Sequence, residues 1–158
     1  MLTSRRDYLL RIIDEVSRIL GQIIFKRRAG ADQEALETVV VGFQQLFQLD
    51  PDQIFLLTPK QHYEMLTTGN DPPEFARDKV LLYAALSAEA GRIYAKFNQR
   101  EKARVCLLNA LQFALRARID FPHDGLPSYA PDIGELRTAL ADEPLDPETQ
   151  ELLNKANL

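Results

Sequence analysis

The residues best able to do chemistry are two histidines and one cysteine, and their spacing matches no common catalytic or metal site. His62 has Glu64 nearby and His123 has Asp124, but neither forms a His-x-x-x-His or Glu-x-x-His pair. Cys106 stands between apolar neighbours, whereas a reactive thiol needs exposure and nearby positive charge. We therefore expect no catalytic residue, no metal site and a protein that is not an enzyme.

Phosphate-binding loops are missing from the sequence too. Such loops gather several glycines, whereas the glycines here are dispersed singly, where they suit helix ends or close helix contacts. The sequence accordingly predicts no cofactor.

Composition sets the class of protein that carries these residues. The 158 residues are 46% hydrophobic and 27% charged, with one cysteine and a net charge of −4, which fits one domain without disulfides. The most apolar early stretch, 9–25, is interrupted by charges and predicts neither a membrane span nor a secretory signal. We expect a cytoplasmic protein that does not associate with a membrane.

The apolar spacing predicts an all-α fold in a single domain, 1–158. Residues 1–49 form a first helix pair and 50–70 form short connecting helices. Residues 71–119 form a second pair, whose later helix is predicted to be central, and 130–158 form C-terminal capping helices.

Prolines predict where several helices begin, because proline suits the first helical position. Asp50-Pro51, Thr58-Pro59 and Asp146-Pro147 each place a capping residue before a proline, and Asp71-Pro72 repeats the pattern. Ala130-Pro131 indicates a further start, and Asn98-Gln99-Arg100-Glu101 reads as a capping box.

One segment of the second pair resembles the tetratricopeptide (TPR) motif, a helix–turn–helix of about 34 residues. Its residues are Gly91-x-x-Tyr94 followed by Ala103-x-x-x-Leu107-x-x-Ala110-Leu111, within 84–117. The resemblance implies that Gly91 lies close to the next helix and that Leu107 is buried. A fainter copy, Gly21-x-x-Ile24 before Ala35-x-x-x-Val39, lies upstream.

The whole chain is also similar to a family of small uncharacterised bacterial helical proteins that contain one TPR-like pair. The similarity includes the start Asp7-Tyr8-Leu9-Leu10-Arg11 and an isoleucine-rich first helix. It implies the fold and a bacterial origin, and it implies no chemistry.

In TPR domains the binding groove follows the first helix of each pair. The resemblance therefore implies a peptide-binding face whose members are Ala85, Ala88, Arg92, Ala95 and Lys96, with Ala88, Arg92 and Lys96 as the main candidates. The expected function is a non-catalytic protein-interaction or scaffold module with a protein or peptide partner.

Charge along the chain is segregated into four blocks. Residues 1–30 and 79–120 carry net charges of +4 and +5, and residues 31–78 and 121–158 carry −7 and −6. We expect basic helices to lie beside acidic ones. The alternative is a basic face, from residues 1–30 and 79–120, that binds nucleic acid through Arg5, Arg6, Lys26, Arg27 and Arg28.

The first helix carries apolar residues beyond its main stripe, namely Leu2, Leu10 and Phe25. Two arrangements could cover these apolar residues. The C-terminal helices can fold back with Ile133, Leu136, Leu140, Leu152 and Leu153, or a second copy can form a homodimer.

Overall fold

A computed structural model describes residues 4–158, so Leu2 lies outside the described residues. Between residues 4 and 158 the regular structure is entirely helical, which confirms the predicted all-α class. The helices are α1 (Arg5–Arg28), α2 (Asp32–Phe47), α3 (Pro51–Phe55), α4 (Pro59–Thr67), α5 (Pro73–Lys96), α6 (Arg100–Asp120), α7 (Ile133–Ala139) and α8 (Pro147–Lys155).

Most of the predicted helix starts are confirmed by their caps. Ser4 accepts a hydrogen bond from the backbone N–H of Asp7 at 3.1 Å. Thr58 and Asp50 each form a capping box with the glutamine three residues on, and Asp146 accepts from the N–H of Thr149. The caps satisfy N–H groups that the first helical turn leaves unpaired.

Three predicted starts are wrong in detail. Helix α5 begins at Pro73, with Pro72 at the capping position, because the Asp71 carboxylate is bonded to Arg5 instead. The box at Asn98 does not form, since Asn98 adopts a left-handed φ of 59° that turns the chain between α5 and α6. Helix α7 is capped by Asp132 and not opened by Pro131.

Side-chain contacts fix the directions of the long helices. Gly91 meets Leu107, and Tyr83 stacks on Phe113 with ring centroids 4.0 Å apart, so α5 and α6 run antiparallel. Contacts between α1 and α2, such as the one from Lys26 to Thr38, show the same antiparallel pairing.

Helices α1 and α5 run parallel. The start of α1 reaches the start of α5 through Arg5 and Asp71, and its end reaches the end of α5 through Arg27 and Glu89. Helix α2 lies antiparallel to α5, since Phe43 packs edge-on against Tyr83 and Asp32 pairs with Lys96.

The central helix is α5, which corrects the expectation that α6 is central. Every residue from Lys79 to Gly91 is buried, because α5 packs on α1, α2, α4 and α6. This stretch contains polar residues, which ordinarily face solvent. Two of them, Lys79 and Glu89, are instead buried with partners.

Glycines distinguish the two TPR-like segments. A Cβ atom at Gly91 would lie 2.7 Å from Leu107 Cγ, which confirms the predicted close approach, and Leu107 is buried as expected. A Cβ atom at Gly21 would meet nothing within 4 Å. The upstream segment therefore lacks this contact, and the close approach of α2 is instead to α5, where a Cβ atom at Gly42 would lie 2.7 Å from Leu86 Cδ2.

The C-terminal helices fold back as a cap, and they cover α6 and not α1. Leu136, Leu140, Leu152 and Leu153 are buried in one cluster with the outer face of α6. Leu10 and Phe25 remain 38% and 74% exposed. The exposed Asp14 and Arg18 lie between these two along α1, so the outer face of α1 has no continuous apolar patch. The homodimer stays a prediction.

Candidate binding site

The face predicted to bind a peptide is largely covered. Ala88 is 1% exposed and belongs to the buried cluster that includes Leu136 and Leu140 of α7. Ala85 is 6% exposed and lies in the main core. These two alanines therefore do not line an open groove, which corrects their predicted placement, because neighbouring elements cover α5 along its middle.

Arg92 and Lys96 lie at the more open end of α5, where both pair within the chain. Arg92 Nη1 and Arg27 Nε donate to the Glu89 carboxylate at 2.9 and 2.5 Å. Lys96 Nζ lies 3.4 Å from Asp32 Oδ1 and 3.4 Å from the carbonyl oxygen of Arg27. Lys96 therefore joins α5 to α1 and α2, whereas Arg92 pairs within α5 with Glu89, the residue that Arg27 links to α1.

The charged blocks complement one another, as expected. Basic α6 pairs with the acidic C-terminal part, since Arg104 contacts Asp142 and Glu143 and Arg116 contacts Glu148. These pairs place unlike charges side by side.

Three of the five residues proposed for nucleic acid are hydrogen-bonded within the chain. Arg5 bonds to Asp71 at 3.1 Å, Arg27 bonds to Glu89, and Lys26 Nζ donates to Thr38 Oγ1 at 3.0 Å. Binding a phosphate backbone would compete with these contacts. The nucleic-acid alternative stays an untested prediction that these contacts do not favour.

A different site emerges where five helices meet, and we call it the α3 pocket. It has a volume of about 290 Å³. Its apolar wall includes Phe43, Ile54 and Ala90, and its exposed rim includes Phe55 and Val105, which are 55% and 58% exposed. The further lining residues are Leu57, Pro59, His62, Tyr83, Ser87, Cys106 and Asn109.

Helix α3 is the element that forms the rim. Asp50 and Pro51 start this helix of five residues, and it is too short to bury both of its sides. Ile54 is 1% exposed and anchors α3 to the core, whereas Phe55 and the following Leu56 point away from it and are 55% and 86% exposed. Phe55 is held edge-on against Phe43, with ring centroids 6.1 Å apart.

A buried histidine organises the wall of the pocket. His62 Nε2 lies 2.7 Å from the carbonyl oxygen of Ile54, and Nδ1 lies 2.9 Å from the hydroxyl of Tyr83. A carbonyl oxygen can only accept, so Nε2 donates to it, and in the neutral ring Nδ1 accepts from Tyr83. Both ring nitrogens are therefore occupied, and His62 ties α3 to α4 and α5.

Cys106 lies on the α6 side of the pocket and is partly buried. Burial raises the pKa of its thiol to about 11, because an apolar environment disfavours the thiolate. The pKa of Tyr83 is raised by burial as well. At neutral pH the pocket thus presents a neutral hydroxyl and a neutral thiol, together with the amide of Asn109.

This arrangement suits binding of an apolar group with a few polar contacts. The sequence analysis did not find the site, because its lining comes from five separate helices. Two features of the sequence could have indicated the site. Phe55-Leu56-Leu57 is an apolar run at the end of a one-turn helix, and Val105 lies off the apolar stripe of α6.

Comparisons with the models of known protein families, with curated proteins and with solved structures give no match. Within residues 4–158, no three His, Cys, Asp or Glu side chains are grouped so that they could hold a metal ion. None of the helices described above is long and apolar enough to cross a membrane.

Proposed function

We propose that this protein is a non-catalytic, TPR-like interaction module that binds an apolar segment of a partner protein or peptide in the α3 pocket. The observation that carries the proposal is the exposed apolar rim, Phe55 and Val105, beside an apolar cavity, with the exposed Leu56 next to Phe55 in the chain. Large exposed apolar side chains grouped at a cavity are typical of interaction sites, since covering them removes apolar surface from water.

The helix directions support the TPR-like part of the proposal. Repeated units that stack with a small rotation have their corresponding helices parallel. Helices α1 and α5, the first helices of the two pairs, run parallel. Helix α2, the second helix of the first pair, packs antiparallel to α5. We interpret α1–α2 and α5–α6 as two stacked units, with α7 and α8 as the terminal cap.

The dimensions of the α3 pocket define the occupant. A volume of about 290 Å³ suits one large side chain and part of its backbone. Burying a Phe or Leu side chain contributes about 1.5–3 kcal/mol, so a peptide with one aromatic or large aliphatic anchor gains measurable affinity. Ser87 and Asn109 supply polar groups for the peptide backbone.

The chemistry of the pocket supports a binding role over a catalytic one. His62 uses both ring nitrogens in structural hydrogen bonds. The raised pKa of Cys106 keeps its thiol protonated, and therefore poorly nucleophilic, at neutral pH. We place the protein in the bacterial cytoplasm, on the basis of its one cysteine and of the family resemblance.

A displayed library of random peptides tests the proposal. Peptides selected on the intact protein should share one large apolar residue. Their binding should weaken at least tenfold in Val105→Glu, because the substitution places a charge on the rim of the α3 pocket.

Phe25→Glu is the matched control, since it also replaces an exposed apolar residue on a helix with glutamate. Phe25 is 74% exposed and lies on α1, away from the residues of the pocket. Binding to this variant should stay within about twofold of the wild type. The proposal is overturned if no peptide is enriched, or if the selected peptides bind Val105→Glu as tightly as the wild type.

A further inference from the structure

A second cavity lies between the end of α6, the loop that follows it and α7, and we call it the loop pocket. Its volume is about 410 Å³, within the range of sites for small molecules. It shares no lining residue with the α3 pocket, so the inference below is independent of the proposed function. Its floor is apolar and includes Leu81, Ala114, Ala117, Ala130 and Ile133.

Two arginines from different helices line this apolar floor. Arg118 comes from α6 and Arg137 from α7, and both are exposed. The ion pairs within residues 4–158 include neither of them, although Arg104 and Arg116 on α6 are both paired with carboxylates. Among residues 4–158, no ion pair therefore compensates the positive charges of Arg118 and Arg137.

Two other ionisable residues line the loop pocket. The carboxylate of Asp132 accepts the N–H of Glu135 at 3.0 Å, so it is engaged in capping α7. His123 is exposed and lines the pocket beside the loop. Leu158 also lines the pocket, and counted by side chains the lining holds one acid against two arginines, so the side-chain charge is positive and favours an anionic ligand.

A buried arginine fixes the wall of the loop pocket. Arg77 is 4% exposed, and its guanidinium donates to the carbonyl oxygens of Pro122, Asp124 and Gly125 at 2.9, 2.8 and 3.2 Å. Asp78 accepts from its Nε at 3.0 Å and balances its charge. The loop is therefore held in one shape before any ligand arrives, and a preorganised site avoids the entropic cost of ordering it.

We propose that the loop pocket binds a small amphiphile that has an apolar body and a single anionic head group of the carboxylate class. The apolar body lies on Leu81, Ala114 and Ile133. Arg118 and Arg137 bind the head, because the planar guanidinium matches the two oxygens of a carboxylate.

Octanoate is a suitable probe, with two matched controls. Octanol has the same chain with a neutral head, and acetate has the same head with no chain. In titrations followed by amide NMR, octanoate should shift the signals of Leu81, Leu126 and Gly134. Octanol should bind at least tenfold more weakly, and acetate should produce no saturable shift.

Variants separate the charge from the apolar surface. Arg118→Gln and Arg137→Gln should each weaken octanoate binding roughly threefold to tenfold and leave octanol binding unchanged. Arg116→Gln, two residues from Arg118 but outside the loop pocket, should leave both unchanged. Each variant is compared with the wild type by thermal melting, so that a loss of binding is not mistaken for unfolding.

Three results would overturn the proposal. Equal binding of octanoate and octanol would show that the arginines do not recognise the head. Undiminished octanoate binding by the variant that carries both glutamines would show the same. Shifts that map to residues outside the loop pocket would show that the probe binds elsewhere.

Discussion

Replacing Gly91 with alanine tests the close packing of α5 on α6. The new Cβ atom would lie 2.7 Å from Leu107 Cγ, 2.9 Å from Leu107 Cδ2 and 3.2 Å from the carbonyl oxygen of Ala103. Leu107 is 8% exposed and cannot swing into solvent, and the Ala103 oxygen belongs to the backbone of α6. The two helices must therefore separate slightly, or Leu107 must leave its preferred rotamer.

Two opposing effects set the magnitude of the change. Alanine favours a helix interior over glycine by about 1 kcal/mol, whereas overpacking a core costs about 1–3 kcal/mol. We expect Gly91→Ala to lower the free energy of unfolding by roughly 0–2 kcal/mol, the difference between these two effects.

Gly21→Ala isolates the packing effect. Gly21 also lies inside a helix, but a Cβ atom there meets nothing within 4 Å. This variant should gain the helix-propensity effect alone, about 1 kcal/mol. The difference between the two variants, about 1–3 kcal/mol, then measures the steric cost at Gly91.

Urea unfolding followed by circular dichroism gives both free energies. A double-mutant cycle adds a sharper check, because Leu107→Ala removes the two closest atoms. In that background Gly91→Ala should be neutral or stabilising, which gives a coupling energy of about 1 kcal/mol or more. If Gly91→Ala proves as stable as Gly21→Ala, the close contact does not exist and the register of the second pair is wrong.

Two further predictions concern ionisable groups. Cys106 should react with iodoacetamide far more slowly than free cysteine at pH 8, and its rate should keep rising with pH until the pH reaches about 11. Reaction at the rate of free cysteine would contradict the burial of the thiol. The hydrogen bond from Arg5, with the charge of Lys79, lowers the pKa of Asp71. The Asp71 carboxylate therefore stabilises the fold at pH values above its ordinary pKa of 3.8. This contribution is lost as the pH falls through the lowered pKa of the folded protein. Asp71→Asn should therefore destabilise the protein at pH 7 by about 1–3 kcal/mol, because Lys79 is left buried without its partner. Urea unfolding at pH 7 and pH 3 should show that the difference in unfolding free energy between the variant and the wild type becomes smaller in acid. An equal gap at both pH values would show that the charge of Asp71 plays no part.

Local sequence rules predicted the helices well, because capping and proline placement act within a few residues. Asp50, Thr58 and Asp146 cap the helices that their sequences indicate. The rule failed at Asp71, where a carboxylate that could cap a helix is bonded to Arg5, 66 residues away in sequence. A long-range partner of this kind is invisible to a local pattern.

The position of α5 at the centre was missed for a related reason. A helix that is buried all round usually has few charged residues, yet α5 carries Lys79 and Glu89 in its buried stretch. Lys79 pairs with Asp71, just before α5, and Glu89 pairs with Arg27 of α1, and these partners make burial tolerable. The α3 pocket was missed as well, since its lining comes from helices that are far apart in sequence.

The central place of α5 has a consequence for the order in which the chain is made. Helices α1 and α2 leave the ribosome first, but their shared apolar face is covered only when α5 follows. Synthesis at about 5–20 residues per second needs roughly 2–10 s to extend the chain from Phe47 to Lys96. For that interval the nascent first pair presents Phe43, Leu46 and Phe47 to solvent without their final partner. We therefore expect the nascent chain to depend most on chaperones before α5 emerges, and not after synthesis ends.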